Sequence, residues 1–351
     1  MTAAPPAPVF LPQALEDPER LRPQLEAAAP YWNQARYVPT PKRAAAATTP
    51  VGHPFAMEGG APPLFRGNWL ERGHPVGAAA DRLDVTWLVD APRLMAAASD
   101  LFNGGVPEPT VVHVNLTAPM PGLDAGHVDV PSFRGMDRLS APGWFLLAMS
   151  RSGLFEPWRE RTATAVVWFY EGVGGSLTYW PAGPAGPPQV VDPVPNTALV
   201  GDNDRMFHRV DAVGRPERWR AVPSESLLFH RGGDRWEVRQ DGEVLADYTF
   251  DELRVSLSWK ATVPPTSSPG GRADLGLDEL STEAAVATMT SALEERGLWD
   301  RGPGALDDVA FVEVVMEAFP RVVPGGHEAN DPRRGRPPVP ANVEWRDQDS
   351  R

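Results

Sequence analysis

At 351 residues the chain can bury a full hydrophobic core, and a formal net charge of −13 leaves it without the basic footprint that broad contact with nucleic acid or an anionic membrane requires. It has no cysteine, which excludes disulfides, thiolate metal sites and a thiol nucleophile, so any metal must be held by His, Asp or Glu. No segment approaches the ~18 continuous apolar residues of a membrane span, and no basic n-region precedes an apolar run at the N-terminus; a soluble cytoplasmic protein is the expectation.

Residues 1–60 are rich in Pro and Ala and read as an arm, with one short helix in DPERLRPQLEAAA and with Trp32, Tyr37 and Phe55 as anchors onto the main body. A β-rich domain is expected over 61–265. Within it, DAPRLMAAASDLFNGG has apolar residues at helical spacing and closes on Asn-Gly-Gly. TVVHVNLTAP then alternates like a strand, and GLDAGHVDVPSF follows a loop containing Pro and Gly. LLAMSRSGLFEPWRER reads as a short helix or turn. TATAVVWFYEGVGGSLTYWP reads as two strands joined in a hairpin by Gly172, Gly174 and Gly175.

TALVGDNDRMFHRVDAVG contains two more short extended runs, DRWEVRQDGEVLADYTF a hairpin turning at Asp241-Gly242, and DELRVSLSWKATV a closing strand. The segment 266–325 is a helical extension, with amphipathic spacing in LDELSTEAAVATMTSALEERGL and ALDDVAFVEVVMEAFP, and 326–351 is a polar, Pro-rich tail. Many short strands with Gly/Pro turns, and no helices between them, predict a mainly β jelly-roll or barrel with flanking helices rather than a doubly wound sheet.

His127 and Asp129 are two apart, so in an extended segment both side chains reach the same side and can meet one metal ion. His-x-Asp alone is more often a polar turn. His208, at the end of a later strand-like run, completes a set of two imidazoles and one carboxylate, the facial triad of non-haem Fe(II) oxygenases, which leaves coordination positions open. In LRVSLSWKA, Arg254, Ser256 and Ser258 share one strand face while Val255, Leu257 and Trp259 share the other; an arginine with a hydroxyl two residues on suits a carboxylate.

The order GHVD, GVGGSLTYWP, FHRVDAVG, RVSLSWKA resembles the Fe(II)/2-oxoglutarate-dependent dioxygenases, in pattern closest to the prolyl 4-hydroxylase-like branch, over roughly residues 110–262. The resemblance implies a double-stranded β-helix (jelly-roll, cupin-like). It implies His127, Asp129 and His208 as catalytic Fe(II) ligands, and Arg254 with Ser256 as receptors for the distal carboxylate of 2-oxoglutarate. Asn115 stands where related enzymes hold a polar cosubstrate contact. Dioxygen is the oxidant, and hydroxylation of an unactivated C–H bond releases succinate and CO2. Asp129 favours this outcome, because related halogenases lack the carboxylate.

One departure concerns the basic residue, which the family places soon after the distal histidine, whereas Arg254 follows His208 by 46 residues. The stretch between them reads as an insertion, a hairpin lid over the site. Arg215 and Arg218 compete for the role of Arg254, and His230 for that of His208. His113 reads equally as pocket lining and as a core histidine. Trp168, Tyr179 and Trp180 flank the expected mouth as contacts for an apolar or aromatic substrate, with core packing the commoner role for any one of them; Phe133 and Arg134 lie just beyond the motif as substrate contacts, Arg134 first if the substrate carries a carboxylate.

The partner expected is a small-molecule or amino-acid-type substrate, with a peptidyl one left open by the branch resemblance, and no nucleic acid or membrane. Competing readings are a non-catalytic jelly-roll binding protein and a cupin-type metalloenzyme that does not use 2-oxoglutarate.

Overall fold

The computed structural model describes residues 5–34, 55–57, 61–122, 125–265, 279–320, 322–324, 327–328 and 345–347. The N-terminal segment contributes β1 (Val9–Leu11) and β2 (Tyr31–Asn33), and β3 (Phe55–Met57) pairs with Trp345–Asp347. The chain continues through β4 (Leu64–Glu71), β5 (His74–Pro75) and β6 (Glu108–Thr117). Next come β7 (Thr162–Phe169), β8 (Leu177–Trp180), β9 (Gln189–Val191), β10 (Thr197–Gly201) and β11 (Phe207–Val210). The set closes with β12 (Leu227–His230), β13 (Arg235–Gln240), β14 (Glu243–Thr249) and β15 (Arg254–Thr262).

These strands build a jelly-roll of two unequal sheets. The large one has the order β1-β10-β7-β15-β6-β4-β2-β12-β13-β14, with β5 added beside β4; the small one is β11-β8-β9. Trp168 and Leu199 of the large sheet meet Leu177 and Tyr179 of the small sheet, together with Met206, in the core between them. The outer face of the large sheet carries Val112, Val114, Ala165, Val255, Leu257 and Trp259, packed against the helices Leu21–Ala28 and Pro92–Leu101. In the latter helix Pro92 stands at the first turn and Leu94, Ala97, Ala98 and Leu101 are buried, the spacing of one apolar stripe.

Sequence and structure differ at several joints. β7 and β8 do not pair with each other: β7 lies between β10 and β15, while β8 lies between β11 and β9. Gly174 (φ +71°) and Gly175 (φ +76°) carry the chain from one sheet to the other, a turn that local composition does not distinguish from a hairpin. The expected hairpin β13–β14 does form, with Asp241 (φ 50°) and Gly242 (φ 87°) as its two-residue loop. That hairpin is not a lid: β12 pairs with β2, and β13 and β14 extend the large sheet beyond it, because their backbone groups find an open sheet edge there.

The N-terminal segment is woven into the sheet through β1 and β2. Its anchor is Tyr31 (2% exposed), which donates its hydroxyl to Leu25 O at 2.9 Å; Trp32 is 45% exposed. Tyr37 lies outside the described residues. The helices Thr282–Glu295 and Val309–Ala318 pack on the helix Gly143–Ser152 and on Phe133, Met136 and Phe155, so they buttress the loop after the His-x-Asp motif rather than the sheet. Among the described residues no helix is long and apolar enough to cross a membrane.

Candidate metal centre and active site

His127 lies outside the named strands but forms an antiparallel bridge with His208 on β11; each backbone N–H donates to the other's carbonyl at 2.9 Å. The motif thereby adds an edge segment to the small sheet, and the extended run places Asp129 on the same side as His127. One ligand atom from each of His127, Asp129 and His208 lies within 4.8 Å of the others. The two imidazole rings are 4.5 Å apart, and Asp129 Oδ1 is 3.7 Å from His208 Nε2. His208 Nδ1 is 3.0 Å from Met206 O, a contact that fixes this nitrogen as the donor and leaves Nε2 facing Asp129 with its lone pair.

Lys260 approaches Asp129 from β15, its Nζ 2.9 Å from Asp129 Oδ2 and 3.2 Å from Asp204 Oδ1. The carboxylate is thus divided, one oxygen toward His208 and one on Lys260. Burial works against its charge, but Lys260, His208 and His127 outweigh that and hold Asp129 well below the usual carboxylate range. Burial likewise opposes the charge on Lys260, yet Asp129 and Asp204 raise its pKa. An ionised carboxylate beside two imidazoles is the donor set that suits a divalent first-row metal, so these residues fit Fe(II).

Arg254 begins β15, a central strand, and is 2% exposed. Its side chain runs into the space between the sheets, where Nε donates to Gly175 O at 2.6 Å and Nη1 to Ser256 Oγ at 3.4 Å. Nη2 is buried without a hydrogen-bond partner, and no carboxylate among the described residues lies within ion-pair distance. Burial pushes the guanidinium down to about 10. A buried cation with an unspent donor fits the distal carboxylate of 2-oxoglutarate. The rivals do not: Arg218 is held by Glu252 at 2.6 Å, and Arg215 is exposed.

The remaining sequence candidates divide. A cavity of about 1350 Å³ opens over the centre, lined by His127, Asp129, Phe133, Arg134, Ser258 and Lys260 among others; Ser256 and Arg254 lie beyond its end on the same strand face. Asn115, paired in register with Ser256, accepts from Arg66 Nε at 2.9 Å and donates to Ser258 Oγ at 3.2 Å, so its amide orders the polar wall.

Phe133 is 2% exposed and packs on Phe155, presenting little surface to the cavity. Trp168 takes the packing role and not that of a substrate contact: it points inward from β7 but is fully buried between the sheets among Leu177, Leu199 and Met206, and it does not line the cavity. Trp180 is 6% exposed, under the Arg209 guanidinium at 5.7 Å, and does not line the cavity either. His230 stacks on Trp236 at 5.0 Å on β12 and takes no part in the triad.

Lys260, Asp204 and the partners of His113 in a cavity-wall cluster escaped the sequence reading. In that cluster Arg138 Nη2 lies 3.0 Å from Glu71 and 2.7 Å from His113 Nε2. His113 is held well below its ordinary pKa, by burial first and then by Arg138, Arg66 and Lys260. The period-2 rule that grouped Arg254 with Ser256 and Ser258 reaches Lys260 if continued by one step.

Neither a family model nor a curated protein matches the chain. Solved structures do resemble it. A 2OG-Fe(II) oxygenase family oxidoreductase from Burkholderia pseudomallei is 15% identical over 73% of this chain and 84% of its own, with a TM-score of 0.37. HygX from Streptomyces hygroscopicus, solved with nickel, 2-oxoglutarate and hygromycin B, is 10% identical over 76% and 90%, with a TM-score of 0.35. A Pseudomonas putida prolyl-4-hydroxylase is 17% identical over 57% and 73%, with a TM-score of 0.28.

Proposed function

We propose that the protein is an Fe(II)- and 2-oxoglutarate-dependent oxygenase that hydroxylates an unactivated C–H bond of a small-molecule or amino-acid-type substrate, with release of succinate and CO2. One observation carries this reading. The interior of a single jelly-roll holds both a His-Asp-His ligand set and a buried guanidinium whose Nη2 has no hydrogen-bond partner among the described residues. A cupin-type metalloenzyme that does not use 2-oxoglutarate has no use for such a guanidinium, and burying it without an anion is unfavourable.

Bound Fe(II), with 2-oxoglutarate and dioxygen, supplies the oxidising chemistry. His127, Asp129 and His208 hold the metal, and Met206 O keeps the His208 ring in the tautomer that offers Nε2. Lys260 keeps one oxygen of Asp129 engaged, so that the other is directed at the centre. Arg254 and Ser256 bind the distal carboxylate and so orient the cosubstrate. The closed inter-sheet core around Trp168 keeps water from that end, and the cavity admits substrate at the other.

The test is anaerobic addition of Fe(II) and 2-oxoglutarate to the purified protein, following the visible charge-transfer band of the chelate. A band that disappears in His208→Ala supports the assignment; iron binding without any band on adding 2-oxoglutarate would refute it.

A further inference from the structure

Arg134 is the cavity-lining cation whose partners are missing. Of the carboxylates that line the cavity, Glu71 is held by Arg138, Asp137 by Arg72, Glu156 by Arg159 and Arg205, and Asp129 and Asp204 by Lys260; Glu108, Glu160 and Glu279 line it too, and none of them forms an ion pair with Arg134. Arg134 forms no ion pair among the described residues, and its Nε and Nη2 are buried with no hydrogen-bond acceptor. Those two nitrogens form the side-on edge of the guanidinium, whose parallel N–H bonds match the two oxygens of a planar carboxylate.

Its backbone is held before any ligand arrives. Arg134 N donates to Trp158 O at 2.7 Å, and Arg134 O accepts from Leu280 N at 2.9 Å, so the backbone is pinned between two separate segments. Two more residues that line the cavity, Trp144 and Thr162, also carry a buried donor, Nε1 and Oγ1, without a hydrogen-bond partner among the described residues. Unspent donors in a polar cavity call for an acceptor-rich ligand, because each costs free energy if it stays unpaired.

On the functional reading above, and deepening it, we infer that the substrate bears a carboxylate and that Arg134 binds it through Nε and Nη2. A single guanidinium balances a monoanion, which favours a carboxylate over a phosphate dianion. Arg134 is then a specificity-determining residue, separate from the Arg254 end of the interior.

The full chain, loaded anaerobically with Fe(II) and 2-oxoglutarate, is titrated with N-acetyl amino acids and the matching N-acetyl carboxamides across aliphatic, aromatic and polar side chains. Perturbation of the charge-transfer band and the thermal shift are read in parallel. Acids are expected to bind roughly tenfold to a hundredfold more tightly than their amides, the span of one or two charge-assisted hydrogen bonds. Arg134→Gln removes that preference and leaves the 2-oxoglutarate titration unchanged, while Arg134→Lys keeps part of it.

The inference fails if no acid binds, if amides bind as well as acids, or if the preference survives Arg134→Gln. It fails too if Arg134→Gln weakens 2-oxoglutarate itself, which would assign this anion site to the cosubstrate. Absence of the band refutes the oxygenase reading instead, and the thermal shift still scores acid against amide.

Discussion

Arg254→Met separates the two things Arg254 does. Methionine keeps the unbranched stem and removes the guanidinium. Gly175 O loses the donor now 2.6 Å away, a loss of about 1–3 kcal/mol for a buried acceptor left unpaired. Against this, the buried charge disappears. The depression of its pKa from the ordinary guanidinium value to about 10 corresponds to roughly 3 kcal/mol by which the site disfavours the cation. The variant without ligand is therefore expected to melt at or slightly above the wild type.

Binding moves the other way. Nη2 and the loosely held Nη1 are the donors a carboxylate would take, and truncating one side of a buried charged pair costs about 2–5 kcal/mol, a ~30- to 5,000-fold weaker 2-oxoglutarate. The assay is thermal unfolding of the Mn(II)-loaded protein with and without 2-oxoglutarate, alongside the anaerobic band titration. The reasoning is refuted if the ligand-free variant melts several degrees lower and still gains the wild-type shift from 2-oxoglutarate.

Lys260→Met leaves Asp129 without the cation that engages Oδ2, and Fe(II) affinity should fall about 10- to 100-fold, as for other partners of metal ligands; unchanged affinity in a metal titration would remove its positioning role. Asp202 is pushed up to about 7 by burial and then by Asp204. A carboxyl raised in this way stabilises the fold at low pH and loses that contribution as pH rises through its folded value. The contribution is lost progressively between the unfolded value of 3.8 and the folded value of about 7, so Asp202→Asn should flatten the decline in unfolding free energy between about pH 4 and pH 7, and denaturant titrations at the two ends would show it.

The candidate ligands were legible because each depends on a local rule. His127 and Asp129 are placed by the two-residue period of extended chain, and His208 by ending a short strand run; the structure draws the three together because β11 pairs with the motif itself. Sheet membership was not legible. Gly172 to Gly175 carry every sign of a hairpin, and only the closure of one sheet over the other makes that turn a crossing. The hairpin beyond His208 was correctly formed in the sequence and wrongly placed, because it joins the large sheet through β12, and the β2 edge that receives β12 comes from an N-terminal segment some two hundred residues away.

The face of β15 shows why the rest was hidden. Alternation divides the strand into Val255, Leu257, Trp259 and Arg254, Ser256, Ser258, Lys260, and an apolar-in, polar-out rule would send the second set to solvent. Both sets are largely buried, since the outer face of the large sheet is covered by helices and its inner face by the small sheet. A polar strand face at the centre of a jelly-roll stays unfavourable until its charges are matched. Lys260 is matched by Asp129 and Asp204, within the protein. Arg254 at one end of the interior and Arg134 on the cavity wall are not, and their unspent N–H groups point to anions supplied from outside.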